Sequence, residues 1–113
     1  MEKGEGRTKV MLSAQFAGTD VILHLYNENP HIGAVAVGEY DPGSQRTSTS
    51  VITRPGHKDD AVAREAAYQL SKFLKKPTCV IVGIHVDQIT HAEISEIQEN
   101  ARALVDEFIK GGV

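Results

Sequence analysis

Three short segments contain residue types that can bind a ligand, and each lies where a predicted loop meets a predicted strand or helix. They are residues 29–33 (Asn-Pro-His-Ile-Gly), residues 55–60 (Pro-Gly-His-Lys-Asp-Asp) and residues 83–89 (Gly-Ile-His-Val-Asp-Gln-Ile). Each segment contains one histidine, and three neutral imidazoles could converge on a metal ion with an open position for catalysis. Their spacing matches no local metal motif, and histidines at such places also cap turns and helix starts. Both interpretations stay open.

The segment of residues 55–60 also suits an anion or a phosphate group. A helix that begins there would present free N–H groups and a partial positive charge. Lys58 and Arg64 would add positive charge. Asp59 and Asp60 compete with an anion because they already satisfy the helix dipole, and Asp60 also pairs with Arg64 at i, i+4. The chain contains neither a Gly-x-Gly-x-x-Gly motif nor a P-loop, so phosphate binding is one hypothesis among several.

The elements that must position these segments follow from hydrophobic periodicity. Strands are predicted at residues 9–17, 20–26, 33–39, 47–53 and 79–84; the last is apolar on both faces and therefore central. A first helix opens at residues 57–60 and ends before Pro77; its apolar stripe is Val62, Ala66, Leu70, Phe73 and Leu74. A second helix begins at Thr90, which forms a predicted capping box with Glu93. Its core stripe is Ile94, Ile97, Ala101, Leu104, Val105 and Phe108.

The predicted order is therefore ββββαβα, an α+β fold in which two helices pack on a mainly antiparallel sheet. We expect one domain over residues 9–113 after a flexible N-terminus of residues 1–8. The chain has 113 residues, a net charge of −3 and no apolar segment long enough for a membrane span, so neither nucleic acid nor a membrane is an expected partner. Its single cysteine favours a cytoplasmic location. The Thr/Ser-rich fourth strand suggests an edge that a homodimer would close.

At the three segments the chain resembles the LpdD-like proteins, which are prenylated-flavin-associated chaperones found beside UbiD-type decarboxylases. The matching residues are Asn29-Pro30-His31-Ile32-Gly33, His57-Lys58-Asp59 and Gly83-Ile84-His85-Val86-Asp87-Gln88-Ile89-Thr90. The resemblance implies a non-enzymatic protein that holds prenylated FMN, or FMN, and assists its delivery to, or maturation in, a UbiD-type decarboxylase. A flavin prenyltransferase is a further possible partner.

The resemblance and the chemistry of the side chains together give a candidate cofactor site. It comprises Asn29, His31, Gly33, His57, Lys58, Asp59, Arg64, His85, Asp87 and Gln88. The two cations would bind the flavin phosphate, and the imidazoles would meet carbonyl groups of the ring. An apolar slot for the ring system is expected from Ile32, Val35, Ile84 and Ile89. Two alternatives remain: a small metal-dependent enzyme that uses the three histidines, and a ligand-free accessory subunit of a hydroxyarylic acid decarboxylase.

Overall fold

The computed structural model describes residues 1–55 and 59–111. Its strands are β1 (Glu2–Lys3), β2 (Val10–Ala17), β3 (Asp20–Tyr26), β4 (Ala34–Asp41), β5 (Arg46–Thr53) and β6 (Thr78–Gly83). Its helices are α1 (Asp60–Leu74) and α2 (His91–Lys110), with a short 3-10 helix over Gly6–Thr8. The α+β class, both helices and the five longer strands are confirmed. No helix in the described part of the chain is both long and apolar enough to cross a membrane.

The sheet is mixed, which corrects the expectation of a mainly antiparallel sheet with the simple order ββββαβα. Its six strands lie in the order β1-β2-β3-β6-β4-β5. Two antiparallel hairpins, β2–β3 and β4–β5, are separated by β6, which pairs parallel to β3 and antiparallel to β4. The parallel pair arises because α1 carries the chain back across the sheet before β6 begins. The sequence did not predict β1, which lies before residue 9 and pairs antiparallel with β2. The division into a flexible N-terminus and a domain from residue 9 stays a prediction.

Both helices pack on one face of the sheet and form a single core with it. The fully buried large side chains include Leu23, Leu25, Leu70 and Leu104. Helix α2 begins as predicted: the Thr90 hydroxyl accepts from the Glu93 N–H at 3.1 Å, and the Glu93 carboxylate accepts from the Thr90 N–H at 3.0 Å. The helix therefore starts at a fixed point immediately after the loop of residues 84–90.

Helix α1 buries two residues of the predicted stripe, Ala66 and Leu70, together with small residues that the stripe did not include. Its buried face is Ala63, Ala66, Ala67, Leu70 and Ser71. This face lies close to β4, since a Cβ atom on Gly38 would lie only 2.4 Å from the Ala67 carbonyl oxygen. The predicted burial of Phe73 is wrong: the side chain is 60% exposed, because the helix turns its alanines toward the sheet and Phe73 toward the groove beside α2.

Candidate functional site

The candidate site lies at the carboxyl ends of the parallel strands β3 and β6. After β3, the loop of residues 27–33 passes the end of β6 to reach β4 on the far side, whereas residues 84–90 lead from β6 to α2. The two loops therefore leave the sheet at the same edge. Crevices at the carboxyl ends of strands, where neighbouring connections diverge, are common ligand sites in sheets that contain parallel strands.

Gly83 brings the first and third predicted segments together. A Cβ atom at this position would lie 1.8 Å from the His31 carbonyl oxygen and 2.9 Å from the His31 nitrogen, so the His31 peptide packs directly on the end of β6. The Gly33 N–H donates to the Val82 carbonyl at 2.8 Å and fixes the same loop one step further along. Glycine is required at residue 83 because no side chain fits between β6 and this loop.

Gly33 brings the second segment to the first in the same way. A Cβ atom on Gly33 would lie 1.9 Å from Asp59 Oδ2, and Asp59 is itself buried. The residue that immediately precedes α1 is thus packed against the loop before β4. Asp59, the loop of residues 27–33 and the end of β6 are thus close in space although they are separated in the sequence.

Asn27 joins the two loops and is 5% exposed. Its amide nitrogen donates to the His85 carbonyl at 2.7 Å, and its amide oxygen accepts from the Asn29 N–H at 3.3 Å. The backbone at Asn29 and the backbone at His85 are therefore held by one side chain.

The two described histidines of the predicted cluster have different environments. The half-buried His31 ring donates from Nδ1 to the Asn29 carbonyl at 2.7 Å, and His24 donates from Nε2 to the His31 carbonyl at 3.2 Å. The side chain of His85 is 65% exposed, and its Nε2 lies 2.8 Å from Asp87 Oδ1. Asp87 is 88% exposed and Gln88 adopts a left-handed backbone with φ 51°. His31 thus orders its own loop, whereas His85 and Asp87 face solvent and are open to a ligand.

Seven of the ten predicted site residues lie on the converging segments: Asn29, His31, Gly33, Asp59, His85, Asp87 and Gln88. Arg64 lies one turn into α1 with an exposed side chain, and among the described residues no hydrogen bond or ion pair connects it to the loops. His57 and Lys58 lie outside the described residues. Their assignment to the site stays a prediction.

The predicted apolar slot divides between the two faces of the sheet. Ile84 packs against the core under the helices, whereas Val35 lies on the opposite face, opposite Ile81 in the register. These two side chains cannot line one slot. Ile32 and Ile89 remain available, since they are 50% and 40% exposed and lie on the two converging loops.

Sequence analysis missed two arginines that bind backbone oxygens of these loops. Arg54, directly after β5, donates from Nη1 to the Ile32 carbonyl at 2.8 Å, and Arg7 donates from Nη2 to the Asp87 carbonyl at 2.6 Å. Asn27 was missed as well, although a polar residue directly after an apolar strand and two positions before Asn29 is a signal for an Asx turn. For the arginines no local pattern exists, because their acceptors are main-chain atoms remote in sequence.

The charged side chains beside the loop of residues 84–90 include Arg7 and Glu93 as well as the exposed Asp87. Hydrogen bonds from the Arg7 guanidinium, followed by the Thr90 N–H, hold the pKa of Glu93 below its ordinary value. The same pairing raises the pKa of Arg7. In the described residues, no three His, Cys, Asp or Glu side chains are grouped closely enough to hold a metal ion together.

Comparison with known families identifies the chain by its sequence. A family model described as the prenylated flavin chaperone LpdD-like domain matches residues 4–111, which is nearly the whole chain. The match includes the N-terminal segment that contains Arg7 and all three converging segments. Comparison with curated proteins found no match.

Proposed function

Because the chain belongs to the prenylated flavin chaperone LpdD-like family, we propose that it binds prenylated FMN, or FMN, at the converging loops and delivers it to a UbiD-type decarboxylase. The observation that carries the proposal is the meeting of residues 27–33, Asp59 and residues 84–90 at the carboxyl ends of β3 and β6. A chaperone family favours a non-enzymatic role. We place this role in the cytoplasm, and a flavin prenyltransferase is the proposed source of the cofactor.

The donor set of the loops fits a flavin. His85 and Asp87 present exposed polar groups to the ring carbonyls and ring N–H groups, and Ile32 and Ile89 offer exposed apolar surface on either side. Prenylated FMN, once transferred, supplies the decarboxylation chemistry of the partner enzyme. The residues of this chain have only to bind and orient the ring system and to release it. Loops exposed to solvent suit that task better than an enclosed cavity.

We propose that Lys58 and Arg64 bind the flavin phosphate, with Arg54 as a third candidate cation beside Ile32. Each would be replaced by alanine, and the affinities for FMN and riboflavin compared by fluorescence titration. A residue that binds the phosphate should weaken FMN about tenfold or more while leaving riboflavin unchanged. Equal losses for both ligands would assign that residue to the fold instead.

The ultraviolet-visible spectrum of the protein, purified after co-expression with a flavin prenyltransferase, tests the proposal directly. We expect a flavin-like absorbance that is lost in His85→Ala and kept in His91→Ala, a matched control on the exposed first residue of α2. Absence of flavin from the wild-type protein, together with no binding of added FMN, would contradict the proposed function.

Removal of divalent metal separates this proposal from the metal-dependent alternative. We expect EDTA to leave both the melting temperature and flavin binding unchanged. Structural zinc contributes on the order of 10 kcal/mol to small metal-dependent domains, so its loss would be obvious. A large fall in melting temperature would favour a metal site built from His31, His57 and His85. If the protein binds neither flavin nor metal, the remaining alternative is a ligand-free accessory subunit of a hydroxyarylic acid decarboxylase.

We propose a homodimer that forms through the open face of the sheet. The face opposite the helices is formed by the neighbouring strands β3, β6, β4 and β5. Its outward side chains include an apolar group: Ile22, Val35, Val37, Ile52, Cys79 and Ile81. Val37 is 50% exposed and Ile52 is 75% exposed. A second copy presents the same apolar group, which the dimer would bury.

Light scattering during gel filtration tests this interface. The wild-type chain should elute as a dimer and Val37→Glu as a monomer. Phe16→Glu is the matched control, because Phe16 has the same 50% exposure but points to the other face. A monomeric wild-type chain, or a dimer unaffected by Val37→Glu, would contradict the proposal.

A further inference from the structure

The N-terminal segment is fastened along α2. The Thr8 hydroxyl donates to Glu96 at 2.9 Å, and the Asn100 amide donates to the Thr8 carbonyl at 2.9 Å. Lys3 forms an ion pair with Glu107 further along the same helix. The 3-10 helix at residues 6–8 is therefore held beside the first turns of α2, which places Arg7 next to the loop of residues 84–90.

The Arg7 guanidinium forms hydrogen bonds both to this loop and to the start of α2. Its Nε donates to Glu93 Oε2 at 2.8 Å, and its Nη2 donates both to Glu93 Oε1 at 3.3 Å and to the Asp87 carbonyl at 2.6 Å. The same Glu93 carboxylate caps α2 at Thr90. A planar guanidinium can satisfy such a set of acceptors at once, which the compact ammonium group of lysine cannot.

Within residues 1–55 and 59–111, Arg7 makes the only side-chain hydrogen bond to the main chain of residues 87–89. Asp87, Gln88 and Ile89 are exposed, and Gln88 has a positive φ, which is uncommon for a residue with a side chain. Asp87 contacts His85 through its side chain, while Arg7 holds its main chain.

We propose that Arg7 is a positioning residue for the site: it fixes the Asp87 peptide and thereby the direction in which His85 and Asp87 face a ligand. The consequence for flavin binding rests on the proposed function, whereas the consequence for the loop does not. Arg7 itself needs no contact with the ligand.

Backbone order parameters from ¹⁵N relaxation, measured on the full chain, test the effect on the loop. Arg7→Ala and Arg7→Lys should lower the values at residues 87–89 from about 0.85, typical of rigid backbone, to below about 0.6. The matched control is Arg102→Ala. Arg102 has a comparable exposure, 54% against 53% for Arg7, and likewise joins two elements through its Nε, which lies 2.6 Å from Glu65. Arg102→Ala should leave residues 87–89 unchanged.

Titration with FMN and prenylated FMN tests the effect on the site. Arg7→Ala and Arg7→Lys should both weaken binding about threefold to tenfold, because lysine keeps the charge near Glu93 but lacks the planar guanidinium that also binds the Asp87 carbonyl. Full binding by Arg7→Lys would assign the effect to charge alone and overturn the positioning role. Unchanged order parameters at residues 87–89 in Arg7→Ala would overturn it as well. A wild-type chain that binds no flavin would contradict the proposed function, and the order parameters would still decide whether Arg7 positions the loop.

Discussion

Gly83→Ala tests whether the contact between β6 and the His31 loop builds the site. The new Cβ would lie 1.8 Å from the His31 carbonyl oxygen, whereas atoms in ordinary contact are about 3.5 Å apart. The loop must therefore move by more than 1 Å, since the backbone of a central strand cannot. Overpacking of this kind costs about 1–3 kcal/mol. Loss of the adjacent hydrogen bond from Gly33 to Val82 would add about 0.5–1.5 kcal/mol.

The expected total is about 1.5–4.5 kcal/mol, against a free energy of unfolding of about 6–17 kcal/mol for a chain of this length. Gly83→Ala should therefore fold, unfold at a lower urea concentration and lose most of its flavin affinity. Gly43→Ala is the control for the substitution itself, because a Cβ atom there would meet only the exposed Asp41 carboxylate, at 3.4 Å and 3.9 Å. Leu104→Ala is the control for lost stability, because Leu104 is fully buried in α2 and belongs to the core.

The assay is urea denaturation followed by circular dichroism, together with flavin titration under conditions where each variant is folded. We expect Leu104→Ala to bind flavin normally despite its lower stability, and Gly83→Ala not to. The reasoning is refuted if Gly83→Ala matches Gly43→Ala in both measurements. If Gly83→Ala and Leu104→Ala bind flavin with equal affinity, the packing of the His31 loop on β6 is not required for flavin binding.

Three further outcomes are expected. Leu104→Ala should lower the free energy of unfolding by about 2–5 kcal/mol in urea denaturation, and a cost near zero would contradict the packing of α2. Thr90→Ala should cost about 1 kcal/mol in the same assay through loss of the helix cap, with Ser95→Ala, on the exposed face of the helix, as control. The folded pKa of Glu93 is depressed, so its pairing with Arg7 stabilises the fold above the ordinary pKa of 4.5 and is lost as pH falls through the lower folded value. The stability difference between the wild type and Glu93→Gln should accordingly disappear in acid, and a difference that persists there would show that charge is not its cause.

Local patterns predict most of the elements, but not how the strands pair. Alternation of apolar residues located β2, and a Thr-Glu capping box located the start of α2, because both signals are confined to a few neighbouring residues. The insertion of β6 between β3 and β4 depends on where α1 lands on the sheet, and no local pattern reports that. The two residues of β1 are too few for any periodicity to identify.

In the candidate site, too, local patterns are visible in the sequence and contacts between distant residues are not. The sequence singled out three candidate segments, since histidine, glycine and acidic residues at the ends of elements stand out from the periodic parts of the chain; their role as a site stays a prediction. It did not locate Asn27 or Arg7, because each binds a main-chain carbonyl, 58 and 80 positions away respectively. Side chains that bind backbone atoms leave no complementary residue type to search for.

The close packing of α1 on β4 explains both the wrong assignment of Phe73 and the position of Asp59 beside Gly33. The inward residues of β4 are Ala34, Ala36 and Gly38, so the helix approaches with its alanines, and the larger Phe73 is left outside. The same approach brings the start of α1 to the beginning of β4, where Gly33 has no side chain and Asp59 occupies the space. Periodicity ranks helix faces by hydrophobicity and therefore favours Phe73. The sheet instead selects the helix face by size, and that selection places Asp59 beside the His31 loop.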